Sequence, residues 1–161
     1  MDKQVPFHET LNLTLIGNMG RVNRLCREAV THAVEPLGLT QSRWTTLMHI
    51  KMLSEGVTQL EIAHSLSIEM PSLTRILKQL EEQSLIIRRI DEYDKRSKKI
   101  YFTDKGRQIL SSLQEEVDEI TQQIYSGLNH QQLDAMAHHL IKLEQNAQAC
   151  IKQQIQKKVK K

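Results

Sequence analysis

The chain has 161 residues, 39% of them hydrophobic and 25% charged, enough to bury one core without disulfides or a structural metal. Aromatics at 4%, with only 6 Gly and 3 Pro, favour helices, and no apolar run approaches the roughly 20 residues of a membrane span. The net charge of +3 rests on the carboxy-terminal Lys152, Lys157, Lys158, Lys160 and Lys161, so the informative charge lies in local clusters.

The amino terminus, Met1-Asp2-Lys3-Gln4, has no basic segment leading into an apolar stretch, and a cytoplasmic location is expected. Leu15, Met19, Val22, Cys26, Ala29 and Ala33 recur at spacings of four and three, which places one apolar stripe on a long first helix. Pro36 and Gly38 end it. Thr40 is placed to cap a second helix whose run Trp44, Leu47, Met48, Ile50, Met52 and Leu53 is apolar on most sides and belongs at the centre of the core. Gly56 breaks the chain. Thr58 with Glu61 three residues on is a capping box opening a short helix through Leu66. After the connection Ser67-Ile68-Glu69, a fourth helix carries Pro71 in its first turn and turns Leu73, Ile76, Leu77 and Leu80 inward. Its outward face holds Pro71, Thr74, Arg75 and Lys78, with Ser72 beside them.

Leu85-Ile86-Ile87 and Ile100-Tyr101-Phe102 then read as two strands of a hairpin. Between Ser84 and Lys99 lie six basic residues, Arg88, Arg89, Lys95, Arg96, Lys98 and Lys99, against three acidic ones. Thr103 caps a fifth helix carrying Ile109, Leu113, Val117, Ile120 and Ile124. Asn129 and Gln132 suggest a further capping box, and Leu133, Met136, Leu140, Leu143, Ala147 and Cys150 form the stripe of a sixth helix.

Two short helices joined by a tight turn and followed by a basic hairpin have the sequence form of a winged helix-turn-helix, whose second short helix enters the major groove of duplex DNA. The fold class is therefore mainly α with a small β-hairpin wing (α+β), flanked by long terminal helices. Hydroxyl residues at the helix start let its N–H groups approach phosphates, and an Arg can read guanine bidentately. Cys26 and Cys150 are too few and too far apart for a disulfide framework or zinc knuckle, and Cys26 reads as a packed apolar side chain. The seven histidines are scattered, with no cysteine at zinc spacing. No cofactor, metal site or catalytic residue is expected, since there is no phosphate-cradling Gly loop, nucleophile elbow or HExxH helix.

The run Asp94-Lys95-Arg96-Ser97-Lys98-Lys99-Ile100-Tyr101-Phe102-Thr103-Asp104-Lys105-Gly106 resembles the wing signature of the MarR family of transcription regulators, departing from it at Phe102, where the family usually has Leu. Leu39-Thr40-Gln41-Ser42-Arg43-Trp44 and Pro71-Ser72-Leu73-Thr74-Arg75, with Gln79-Leu80-Glu81-Glu82, resemble its SlyA/RovA branch. The resemblance implies a homodimer on a palindromic, A·T-rich operator. It assigns base contacts to Arg75 and Pro71, positioning contacts to Ser72, Thr74 and Lys78, and a minor-groove contact to Arg96 oriented by Asp94, with Lys98 a further wing contact. It implies that residues 1–36 and 104–155 form the dimerisation helices around a DNA-binding region at 37–103, leaving 156–161 as a basic tail. It also suggests a small aromatic carboxylate effector near Arg21, Trp44 and Met48. Trp44 reads first as a core residue and Arg21 as an interface or surface charge, and Met48 is followed by His49 where relatives often carry His at the first of these places. A winged-helix protein-interaction module without specific DNA binding is the alternative reading.

Overall fold

The computed structural model describes residues 12–91, 95 and 97–159. The described residues fall into two compact units, one ending at Ile124 and one beginning at Tyr125.

In the first unit α1 spans Asn12–Ala33 and gives way to a single 3-10 turn at Glu35–Leu37. Pro36 cannot donate a helical hydrogen bond, and Gly38 at φ 70° closes the turn in the left-handed region. Val30 and Val34 anchor α1 in the core, whereas Ile16, Met19, Val22 and Leu25 stay exposed. Helix α2 (Gln41–Leu53) starts after Thr40, but the Thr40 side chain does not cap it. Its hydroxyl lies 3.3 Å from that of Ser42 instead. Trp44, Leu47 and Ile50 of α2 are buried, while Met52 and Leu53 are exposed at its last turn. Thr45 and Thr46 are buried without loss, because their hydroxyls donate to the Gln41 and Ser42 carbonyls at 2.7 Å.

After Gly56 (φ 86°), strand β1 (Val57–Thr58) leads into α3 (Gln59–Leu66). The capping box is complete: the Glu61 N–H donates to the Thr58 hydroxyl at 3.3 Å and the Thr58 N–H to the Glu61 carboxylate at 2.8 Å. The Thr58 hydroxyl first, and its backbone N–H second, hold the Glu61 carboxyl below the usual carboxylate range. Helix α4 (Met70–Glu82) follows, with Leu73, Ile76, Leu77 and Leu80 buried. Strands β2 (Ile86–Ile90) and β3 (Lys98–Phe102) form the hairpin.

The sequence reading of a two-stranded wing is extended here, because β1 adds a third antiparallel strand in the order β1-β3-β2. Val57 pairs with Ile100, and the Gly56 N–H donates to the Ile100 carbonyl at 2.8 Å. Ile86 opposes Phe102 and Arg88 opposes Ile100, so one face of the sheet presents Val57, Ile86, Ile100 and Phe102 to the core. Thr103 ends β3 and caps α5 (Asp104–Ile124), accepting from the Gly106 N–H at 2.9 Å.

The second unit is dominated by α6 (His130–Val159). The expected box at its start is made, with reciprocal 2.9 Å bonds between Asn129 and Gln132. The helix runs 30 residues, carrying Lys157 and Lys158 of the basic tail. Along it Met136, Leu140, Leu143, Ile151 and Ile155 are exposed. Among the described residues no helix is long and apolar enough to cross a membrane.

Candidate nucleic-acid interface

Helix α4 has two opposed faces. Its inward residues are fixed in the core, which turns Pro71, Ser72, Thr74, Arg75 and Lys78 to the surface, and all five are exposed. The packing that holds α4 in place is thus independent of the residues it displays. Thr74 folds back to donate to the Met70 carbonyl at 2.8 Å, leaving its oxygen free to accept. Lys78 lies 3.8 Å from Glu82 one turn on, an exposed pair of little energy that a phosphate can displace. Arg75 has no hydrogen-bond or ion-pair partner among the described residues, so its guanidinium fork is available. The first N–H groups of α4 have no partners inside the helix and add partial positive charge at that end.

Among the described residues an ion pair joins the hairpin to α4. Arg88 on β2 donates through Nε and Nη2 to Glu81 Oε2 in the last turn of α4, with Nε at 3.0 Å. The Arg88 hydrogen bond holds the Glu81 carboxyl below the usual carboxylate range against the opposing effect of burial. The other stem cations are placed differently. The Arg89 guanidinium lies 5.3 Å from the centre of the Tyr101 ring, Lys99 lies 3.0 Å from Asp91, and Lys98 and Lys95 are exposed. Asp94 and Arg96 lie outside the described residues.

On its other side the sheet is tied to α5. Glu55 accepts from the Phe102 N–H at 2.7 Å and from Arg107 at 2.7 and 2.6 Å. Sequence reasoning did not find this junction, since its members lie 47 and 52 residues apart. Gly106 lets α5 approach the Leu85 backbone so closely that an added Cβ would sit 1.9 Å from the Leu85 carbonyl oxygen.

The three residues named for an effector, Arg21, Trp44 and Met48, are not among those lining a nearby cavity of the first unit. Arg21 is exposed on α1 and Met48 is half-buried. The Trp44 indole N–H donates to Thr31 at 3.0 Å within the core. A cavity of about 410 Å³ is lined instead by Arg27 of α1, by Thr40, Gln41, Ser42, Thr45 and Thr46 at the start of α2, and by Leu66, Ile68 and Ile76. Arg27 was legible in principle, because it lies on the same helical face as the buried Val30 and Val34. Nearby, His49 Nδ1 sits 2.7 Å from the Ser65 hydroxyl, and burial first, with the Arg27 charge second, holds its pKa below the ordinary value. Among the described residues no three His, Cys, Asp or Glu side chains form a metal-binding group.

Comparison with known proteins extends beyond this geometry. Residues 39–98 match the MarR family. The transcriptional regulator SlyA is 25% identical, with a TM-score of 0.75 over 83% of this chain and 93% of its own. The transcriptional repressor CouR, solved bound to a 23-mer DNA duplex, is 27% identical, with a TM-score of 0.71 over 79% of this chain and 89% of its own. CouR from Rhodococcus jostii has also been solved bound to p-coumaroyl-CoA. A mutant MarR from E. coli complexed with operator DNA shares the fold, at 23% identity and a TM-score of 0.71 over 87% of this chain and 99% of its own.

Proposed function

We propose that this chain is a transcription regulator of the MarR type that binds a palindromic, A·T-rich operator as a homodimer, under the control of a small effector. The observation that carries the proposal is the outward face of α4. Five polar or conformationally stiff residues are displayed on a helix whose opposite face is fully anchored, and Arg75 among them is free to pair with a base.

In this reading α4 lies in the major groove, where Arg75 and Pro71 meet base edges and Ser72, Thr74 and Lys78 position the helix on phosphates. The Glu81–Arg88 pair links α4 to the wing. On the wing, Lys98 is exposed, and by the family resemblance Arg96, oriented by Asp94, meets the adjacent minor groove, whose negative potential is greatest in A·T-rich sequence. The exposed apolar side chains of α1 (Ile16, Met19, Val22, Leu25) and of α6 (Met136, Leu140, Leu143, Ile151, Ile155) are covered by a second copy of the chain. A two-fold protein then matches a two-fold operator. The effector site is the cavity lined by Arg27, whose charge, together with the apolar Leu66, Ile68 and Ile76, suits a small amphipathic carboxylate. It adjoins both α1 and α4, so an occupant can bias the position of the reading helix.

Selection of bound sequences from random duplexes, followed by salt titration on the winner, tests the proposal. An enriched inverted repeat, bound with an affinity that falls steeply as salt rises, is expected. Binding to all duplexes alike would refute sequence-specific regulation.

A further inference from the structure

Met70 is the first residue of α4, and 39% of its surface is exposed. A recognition helix brings its amino-terminal residues to base edges, so this side chain stands where sequence is read. It lines a groove of about 410 Å³ together with Leu60, Ala63 and His64 of α3 and Ser67, Ile68 and Glu69 of the connection. Leu60 is itself 57% exposed. Two large apolar side chains at this place cannot serve the phosphates, because a thioether and an isobutyl group offer no donor and no charge. The apolar group that a base edge presents in the major groove is the C5 methyl of thymine.

Resting on the DNA-binding reading above, we infer that Met70, supported by Leu60, packs on a thymine methyl in each half-site and adds a thymine preference that Arg75 does not carry. Methionine suits the role, since its unbranched, polarizable chain adapts to a methyl approached at varied depth. Arg75 accounts for a guanine and Arg96 for flanking groove width, so the thymine is a separate, third element of specificity.

Deoxyuridine removes only the 5-methyl group and leaves base pairing intact, which makes the test direct. With the full-length chain and its selected operator, each thymine is replaced singly by deoxyuridine, and affinity is measured by competition at fixed salt. One thymine per half-site should show a loss of about fourfold, the equivalent of one methyl group withdrawn from an apolar contact. Met70→Gln keeps the length of the side chain and, being exposed, the fold. It should bind the thymine and uracil operators equally at that position while retaining every other uracil effect. Met70→Leu should keep the difference. An unchanged uracil penalty in Met70→Gln, or no thymine sensitive to uracil in the parent, would overturn the inference while leaving specific DNA binding intact. A selection that enriches no sequence would overturn the DNA-binding reading and this inference together, and it is recognised before any uracil is introduced.

Discussion

Gly106→Ala tests how the wing is joined to the body of the protein. The added Cβ would lie 1.9 Å from the Leu85 carbonyl oxygen, 2.8 Å from its carbonyl carbon and 3.3 Å from its Cα. Because carbon–oxygen contacts begin at about 3.3 Å, α5 and the Leu85 backbone must separate by roughly 1.4 Å. Neither can yield by rotating a side chain, since both partners are backbone. The separation also strains the bonds that cross the same seam. These are the Thr103 N–H to the Leu85 carbonyl at 3.1 Å, the Thr103 hydroxyl to the Ser84 carbonyl at 2.6 Å, and Lys105 Nζ to the Gln83 carbonyl at 2.9 Å. Overpacking costs about 1–3 kcal/mol, and each hydrogen bond lost adds about 1 kcal/mol, so a destabilisation of about 3–5 kcal/mol is expected. Urea unfolding followed by circular dichroism would read this as a midpoint lowered by about 2 M. Parent and variant must be compared at equal protein concentration, because association makes the midpoint concentration-dependent. A loss below about 1 kcal/mol would show that α5 does not rest on the Leu85 backbone, and the account of the wing's anchorage would be wrong.

Arg75→Ala should relax discrimination at one base pair per half-site by about 1–3 kcal/mol, whereas Arg96→Ala should weaken binding most on operators with A·T-rich flanks. Competition against operators altered in either region measures both, and equal losses on every duplex would reduce the two arginines to phosphate contacts. The folded chain holds His49 below its ordinary pKa of 6.5, so the unfolded chain takes up this proton first as pH falls. Its contribution to stability is therefore complete above about pH 6.5 and is lost as pH drops through the folded value. His49→Gln should flatten that part of the profile in urea melts across the range, and an unchanged acid-side slope would contradict the assignment. Removing residues 157–161 should lower the salt dependence of binding without changing the preferred sequence, because lysines on phosphates carry no base information. A shifted preference after truncation would mean that this end of the chain reads a groove.

Contacts between residues three or four apart were legible in the sequence. The Thr58–Glu61 and Asn129–Gln132 boxes are made as expected, and the Leu73, Ile76, Leu77 and Leu80 spacing correctly turned Arg75 and its neighbours outward. Helical geometry alone relates such residues, so their identities suffice to predict the contact. The same local logic failed at Thr40, whose position was right but whose hydroxyl turned to Ser42. Strand β1 has two residues, too few for an alternating pattern, and it exists because Val57 meets Ile100 on a strand far along the chain. The Glu55–Arg107 junction depends in the same way on how the chain returns. So does the cavity, which gathers Arg27, Ser42 and Ile76 from three helices and leaves Arg21 on the surface. Sequence by itself determined the helices, the capping boxes at Thr58 and Asn129 and the residues that α4 displays, because those follow from bonds and spacings within a turn or two. The third strand, the anchorage of the wing and the walls of the cavity were decided only by tertiary structure, because they join residues whose proximity follows from the path of the whole chain.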